Sequence, residues 1–543
     1  MKKAIPFIIA LPALLLLFAF KLIPAFFTVI ISMKYFNGSK GIYASPSAGF
    51  GNYSMLFGME GFPGIVVNTL RLSIFSIALT CIFAVILIIC ISRMPWRWLK
   101  LVAIALLAIP AFVPIASFVW VFSSALSPDT GVITNLFTSA GSAPGLSFGN
   151  PAFYPFLFAN MDSLRNVYIP VILGVLVCEN SKHADFRKIA LVIIGYVAAR
   201  ATMLMSPDIE NILVSSNPLV AETSNVLDSI RYYSAHTMQF QLSVSSAAWV
   251  FKTVAQLLIS IIAFFALKTL APSITRSVGR LGKKVGSGLG SIPGIIGYIL
   301  FATGSITVII LTFIPTAGGL SDGMKLLLEN KAFVASFVNS LLYCIFICIL
   351  YGFVTLLLAY PLSTSTKLYP LLLLILISLS NNFVGEYIWY HNLGMINTIF
   401  PIVINSGLSI VGAFALHFCV SAKLGQDPPD FVHYVKASLL PLFTIVAIAF
   451  ITNWGSYLYQ SIYVIDESSL YGVGLCGRQI LFNNIGQESI NTIASGDIQA
   501  TIRNAKSAFV FLSSIIPAVL GAILIGLHKF LPLSAFAAQI RKG

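Results

Sequence analysis

Apolar runs of bilayer length recur along this chain, separated by short polar turns. Crossing the hydrocarbon layer takes about 20 apolar residues. The runs that approach that length predict spans at Ile5–Met33, Val66–Ser92, Leu101–Ser124, Val167–Val177, Ile189–Met205, Ser243–Leu267, Ile292–Pro315, Phe333–Pro361, Leu368–Ser380, Ile399–Val420, Ala437–Thr452 and Ala508–Phe530. The fourth and ninth are short. Lipid cannot satisfy free backbone amides, so spans of this kind must be helical. The pattern therefore predicts an all-α polytopic membrane protein with about 12 transmembrane helices. Its midpoint is marked by a basic, Gly-rich stretch, Ala271–Gly290 (APSITRSVGRLGKKVGSGLG). This divides the chain into a first half at 1–270, a linker at 271–291 and a second half at 292–543.

Composition agrees with this pattern: 58% of the 543 residues are hydrophobic and 9% are charged, against roughly 25% charged in soluble domains. Mean hydropathy is +0.92. The net charge of +14 does not point to nucleic acid, because the charge is distributed by topology. With the N-terminus inside, 19 of the 32 basic residues fall in short inner loops and tails. The acids left inside are Glu179, Asp185, Asp427 and Asp430. That asymmetry follows the positive-inside rule. It predicts a multi-pass protein of the cytoplasmic membrane with both termini cytoplasmic and a basic surface against membrane lipid. The first span runs directly into Lys34-Tyr35-Phe36 and is read as retained rather than cleaved.

Outer stretches near Asn37–Pro63, Leu126–Asn160, Ser206–Gln241 and Tyr457–Arg503 are rich in Gly, Ser, Asn and aromatics. Long irregular backbone must leave the lipid, so folded outer caps are expected there. Part of their aromatic content belongs to the interfacial belt. The seven cysteines lie mostly within spans and show no ligand spacing, which reads as small apolar residues. The six histidines are scattered, and His417 lies in an apolar span. No G-x-x-x-x-G-K-[ST] string is present. The residues offer no catalytic constellation, no metal site and no cofactor site, so a non-enzymatic role is expected.

Two sets of strings carry a resemblance. In the first half these are Val67-Asn68-Thr69-Leu70, then Ile109-Pro110-Ala111-Phe112-Val113-Pro114 with Trp120, Ser127-Pro128-Asp129-Thr130-Gly131, and Ser224-Asn225-Val226-Leu227-Asp228. In the second they are Val338-Asn339-Ser340-Leu341, Ala359-Tyr360-Pro361-Leu362-Ser363, Leu393-Gly394-Met395-Ile396-Asn397-Thr398, Asn453-Trp454-Gly455 and Tyr471-Gly472-Val473-Gly474-Leu475. Their order and spacing resemble the permease subunits of carbohydrate (polysaccharide or oligosaccharide) ABC importers, with the two subunits fused in one chain. The resemblance implies two six-helix ABC importer permease-like halves around a shared path for a sugar or oligosaccharide. It also implies partners: cytoplasmic ATPase subunits and an extracellular solute-binding protein. The family's E-A-A-x-x-x-G coupling loop is degenerate here. The first copy reads Glu179-Asn180-Ser181-Lys182-His183-Ala184-Asp185, and tandem prolines Pro428-Pro429 interrupt the second.

On that reading the ATPase contacts are Asp185, Phe186, Arg187 and Lys188 in the first half and Asp427, Asp430 and Phe431 in the second. The substrate pathway is assigned to polar or aromatic residues at membrane depth: Trp120, Asn381, Asn382, Asn453 and Trp454. The adjacent amides of Asn381-Asn382 are the leading candidates, since buried amides need partners; interhelical hydrogen bonding is the competing role. Lys21 either snorkels or lies against the other half. Two other classes stay open. One is a twelve-span secondary transporter or flippase, which would need buried, paired ionisable residues. The other is a divergent permease serving as a scaffold or sensor without ATP coupling.

Overall fold

The computed structural model describes residues 5–92, 97–126, 148–178, 186–237, 242–285, 319–363, 368–424, 430–482 and 498–526. Every regular element among them is a helix, apart from an isolated bridge between Lys34 and Ser47. Among the described residues, seven helices are long and apolar enough to cross a membrane: Ile5–Ser32, Phe62–Ser92, Leu242–Leu267, Lys331–Leu362, Phe400–Ser421, Phe431–Trp454 and Thr501–Leu524. Three further apolar helix pairs, each a broken span or a re-entrant loop, are bent at a short break: Lys100–Phe112 with Ile115–Ala125 (103°), Tyr154–Asn166 with Tyr168–Cys178 (46°), and Leu368–Ser378 with Phe383–Asn392 (88°). The chain is an all-α polytopic membrane protein.

The two runs that looked short, Val167–Val177 and Leu368–Ser380, are each one limb of a bent pair, which explains their length. The run Ile189–Met205 forms the helix Phe186–Ala201, 16 residues or about 24 Å, less than a full crossing. The seventh predicted span, Ile292–Pro315, lies outside the described residues. The first part of the basic linker does not break the chain: the helix Leu242–Val285 runs through it past Pro272. Residues 286–291 of the linker lie outside the described residues.

The helices bury small and polar side chains among apolar ones and turn many other large apolar side chains outward. On Phe62–Ser92 the packed stripe is Asn68, Thr69, Leu72, Ser73, Ser76, Thr80, Ala84, Leu87, Ile88 and Ile91. Ile74, Phe75 and Ile82 on the other face are exposed. A soluble helix shows the reverse. Between helices already in lipid, close approach and hydrogen bonds hold the interface together. Hydroxyls that would otherwise be unpaired bond back to the preceding turn, as Thr69 does to Ile65 and Thr80 to Ser76.

The same local construction occurs once in each half. Asn68 Nδ2 donates to the carbonyls of Glu222 (2.7 Å) and Asn225 (3.3 Å), and Thr69 Oγ1 accepts from the Leu227 amide at 3.0 Å. Asn339 Nδ2 donates to the carbonyls of Ser469 (2.7 Å) and Tyr471 (3.0 Å), and Ser340 Oγ accepts from the Val473 amide at 2.8 Å. Each pinned amide opens a helix, Leu227–Thr237 or Val473–Phe482. Each of those follows a short helix and a 3-10 turn, Ile209–Ser215 with Pro218–Val220 and Leu458–Tyr463 with Ser468–Leu470, the first copy carrying one extra helical turn at Ala221–Ser224. The described parts of the outer stretches Ser206–Gln241 and Tyr457–Arg503 are largely helical. Their backbone is held by an Asn and a hydroxyl projecting from Phe62–Ser92 and from Lys331–Leu362.

Asn68→Ala and Asn339→Ala should each lower stability by about 1–3 kcal/mol, because each removes two side-chain hydrogen bonds to backbone carbonyls, worth about 0.5–1.5 kcal/mol apiece. Thermal unfolding of the purified chain in detergent checks this. Similar losses at the two sites are expected; a loss at one alone would mean that the two pins are not equivalent.

Candidate functional site

A break inside a membrane helix exposes carbonyls that lipid cannot satisfy. The first such break, at Phe112–Ile115, is filled by Arg165. Its guanidinium donates to the carbonyls of Val113 (2.8 Å), Pro110 (3.3 Å) and Ala111 (3.5 Å), and sits 5.2 Å over the Phe118 ring. The second, at Ser378–Phe383, contains Asn381 in the left-handed region, φ 57°. Arg231 donates to the Asn381 carbonyl, and Trp249 Nε1 to that of Ser380 at 3.4 Å. Both donors come from the first half, while the break belongs to the second. The seam between halves is thus built around helix ends, and three polar knots line it.

The first knot centres on Asp228, which is fully buried. It accepts from Arg231 Nη1 (2.7 Å), from Lys252 Nζ (2.9 and 3.1 Å) and, across the seam, from Asn381 Nδ2 (3.1 Å). Burial works against the carboxylate, but the Arg231 and Lys252 cations outweigh it and hold Asp228 below the usual carboxylate range. Arg231 and Lys252 are 1% and 2% exposed, so one acid serves two buried cations.

The second knot joins the first span to the second half. Lys21, within a π-helical turn at Phe18–Leu22, donates to Glu386 Oε1 at 2.9 Å and to Asn405 Oδ1 at 3.2 Å. Tyr463 donates to Glu386 Oε2 at 3.1 Å, and Tyr390 to Asn405 Oδ1 at 3.1 Å. Two turns further along the first span, Thr28 donates to Asn382 Oδ1 at 2.7 Å. Lys21 therefore lies against the other half rather than snorkelling.

The third knot is at Glu210. Its Oε1 accepts from the Ser456 hydroxyl and from the Tyr457 and Leu458 amides (3.2 and 2.9 Å), which caps the helix Leu458–Tyr463 from the opposite half. Tyr457 returns a bond from its hydroxyl to the Glu210 carbonyl at 2.7 Å. Burial, reinforced by neighbouring Asp208, pushes the Glu210 carboxyl up to about 7. Nearby, Arg478 Nη1 donates to the Tyr232 hydroxyl at 2.9 Å, and Tyr232 donates to Ser461 at 3.1 Å.

The predicted pathway residues divide among these surroundings. Asn381 and Asn382 sit in the seam and make interhelical hydrogen bonds, the competing role weighed for them. Asn453 lines a narrow, water-sized cleft together with Tyr343, Ser406, Tyr459 and Gln460. Trp454 is 1% exposed and packs in the core against Phe337 and Phe450, with its indole N–H on the Ser513 carbonyl at 3.0 Å. Trp120 is half-buried on Ile115–Ala125, against the apolar cluster of the seam.

Of the predicted ATPase contacts, Phe186, Arg187 and Lys188 open the helix Phe186–Ala201. Asp430 is exposed at the cap of Phe431–Trp454, and the Phe431 ring lies 5.1 Å from that of Tyr360. Asp185 and Asp427 lie outside the described residues.

The sequence singled out Lys21 and His417 as ionisable residues within spans; the structure adds Lys252 and Glu386, and it buries Asp228, Arg231 and Glu210 in the outer stretch Ser206–Gln241. One signal was available: Lys252 is a lone cation inside the predicted span Ser243–Leu267, and a cation there needs an acid. Asp228 and Arg231, three residues apart, also share a helix face.

No protein-family model matches the chain, and no curated protein matches it. Two solved structures are similar. One is a bacterial ABC transporter involved in the import of the acidic polysaccharide alginate. It is 19% identical over 41% of this chain and 84% of that chain, with TM-score 0.37. The other is a bacterial alginate ABC transporter in complex with an alginate pentasaccharide-bound periplasmic protein. It is 17% identical over 50% of this chain and 96% of that chain, with TM-score 0.43.

Two predictions follow from the knots. Lys21→Ala, which leaves Glu386 buried and unpaired, should cost about 3–5 kcal/mol, whereas the double change Lys21→Met/Glu386→Gln should recover most of the loss. Unfolding midpoints in detergent report both; a double variant no better than the single would deny the pairing. The folded chain keeps the Glu210 proton up to about pH 7, while an exposed glutamate releases it near 4.3. The stabilisation is therefore fully present below that lower value and is lost as pH rises through 7. Glu210→Gln keeps the accepting oxygen and should flatten the fall in midpoint between pH 5 and 8 seen in the parent.

Proposed function

We propose that this chain is the transmembrane permease component of an ABC-type importer. On this reading it moves a sugar or oligosaccharide across the cytoplasmic membrane with ATPase and solute-binding partners. The observation that carries the reading is the pairing of its motifs in space. In the first half Asn68-Thr69 pins Asn225-Val226-Leu227; in the second Asn339-Ser340 pins Tyr471-Gly472-Val473. Strings that resemble the permease family separately in sequence thus hold one another at equivalent places in two halves. Parallel repeats place a substrate path at their interface, and here that interface is a polar seam.

The coupling assignment has a matching geometry. Phe186 and Phe431 each open a helix that packs on the last long helix of its own half, Leu242–Val285 or Ile498–Gly526. On this reading the segments Asp185–Lys188 and 427–431 are the coupling contacts, and Phe186–Lys188 and Phe431 present those helix starts to the ATPase. Inner positive charge orients both termini to the cytoplasm, and the outer caps receive the solute-binding protein.

One observation favours a second reading. The ion pairs Lys21–Glu386 and Lys252–Asp228, with the Lys–Glu side chains 10% and 1% exposed, are what a twelve-span carrier driven by an ion gradient would require.

Extraction in mild detergent separates the two. Copurification of an ATPase, lost together with uptake when 185–188 and 426–431 are replaced by Gly/Ser, is the expected result. Sugar flux that persists without any ATPase and collapses with the proton gradient would transfer the assignment to the carrier.

A further inference from the structure

The pinned amides set a register between the halves. Leu227 corresponds to Val473, since each begins its helix on a hydroxyl from a long apolar helix, Thr69 of Phe62–Ser92 and Ser340 of Lys331–Leu362. Counting five residues on from each gives Tyr232 and Arg478, and these two touch: Arg478 Nη1 donates to the Tyr232 hydroxyl at 2.9 Å, with the guanidinium 6.0 Å from the ring centre. Corresponding positions of two repeats meet each other only at the axis that relates them. The pseudo-twofold axis therefore passes between Tyr232 and Arg478.

A second crossing lies on the same line. The short helices Ile209–Ser215 and Leu458–Tyr463 hold corresponding places in the two halves, and they also meet. Glu210 caps the second of them, and Tyr457 at its start bonds back to the Glu210 carbonyl. Arg478 joins the two crossings, its guanidinium 5.2 Å over the Tyr457 ring. Tyr232 and Tyr457 are 1% and 0% exposed, so no open channel runs between them. All four residues belong to the stretches that charge asymmetry assigns to the outer side.

We propose that Glu210, Tyr232, Tyr457 and Arg478 form a plug on the duplication axis that closes the outer mouth of the path and must separate for passage. This rests on the two-halved path of the permease reading. The chemistry suits repeated opening. Hydrogen bonds exchange for bonds to water with little net change, and a cation over an aromatic face is held without interlocking packing. An arginine whose acceptors are a tyrosine hydroxyl and two ring faces can leave without stranding a buried carboxylate.

The test uses the full chain, reconstituted without partners in vesicles loaded with radiolabelled sucrose. The parent should retain the label. Tyr232→Ala/Arg478→Ala should release it at least about tenfold faster, equivalent to roughly 1.4 kcal/mol of closure. Arg478→Lys, which keeps the charge over Tyr457, should fall between. If the alanine pair does not elute as a folded species, Tyr232→Phe/Arg478→Gln carries the test, with about a threefold increase expected, corresponding to under 1 kcal/mol. A folded variant as tight as the parent overturns the plug. If an ATPase copurifies in that case, the permease reading survives alone. A leaking variant with no associated ATPase retains the plug and removes only the coupling assignment.

Discussion

The constraint on which the rest depends is that two apolar helix pairs bend by 88° or more at a short break, at Phe112–Ile115 and at Ser378–Phe383. Each break leaves carbonyl oxygens with no amide to accept from, and lipid offers no donor. Arg165 supplies donors at one break and Arg231 at the other. A buried guanidinium is stable only with anions or further acceptors around it, so Asp228 beside Arg231 and the Phe118 ring over Arg165 follow from the breaks. Asp228 must then satisfy Lys252 and Asn381 as well. Much of the polar chemistry of the seam descends from this one geometric decision.

Polar contacts of this kind place the halves differently from apolar packing. Toward the N-terminus of the first span, Ala13 and Leu17 pack among Val354, Leu357 and Leu358 of the second half, and the contact there is apolar. From Lys21 onward the first span's contacts across the seam include Glu386, Asn405 and Asn382. An apolar contact is non-directional and tolerates rocking, whereas a directional hydrogen bond is made or broken. The first span thus has a smooth end and a notched end, with a π-helical turn at the change.

Run length and hydropathy made the all-α, many-span body legible, because those quantities set what can cross lipid. The Asn-Thr-Leu and Asn-Ser-Leu strings were legible as resemblances, and the structure gives them a physical role as pins. The breaks were half visible: Leu368–Ser380 read as too short, yet nothing in its apolar run announced that Phe383–Asn392 would continue it at 88°. Asn381-Asn382 stood out because paired amides in lipid demand partners, but the partners lie about 150 residues or more away in sequence. Glu210 carried no local signal. Its role exists only because Ser456, Tyr457 and Leu458 present their donors to it from the opposite half.

The halves correspond in their pins but not in their chemistry, and the difference has a physical cause. In the register set by Leu227 and Val473, Asp228 corresponds to Gly474 and Arg231 to Gly477. A Cβ at Gly474 would lie 2.5 Å from the Gly455 carbonyl, and one at Gly477 2.7 Å from the Phe509 ring. Where the first half holds a buried ion cluster, the second half is packed too closely for any side chain. A symmetric pair of ion clusters would place four cations and two acids about one axis, and net buried charge of one sign is costly. Concentrating the cluster in one half and close packing in the other avoids that repulsion while still satisfying both breaks. Such a division of labour requires that the two halves always meet one to one, and a single polypeptide carrying both guarantees it.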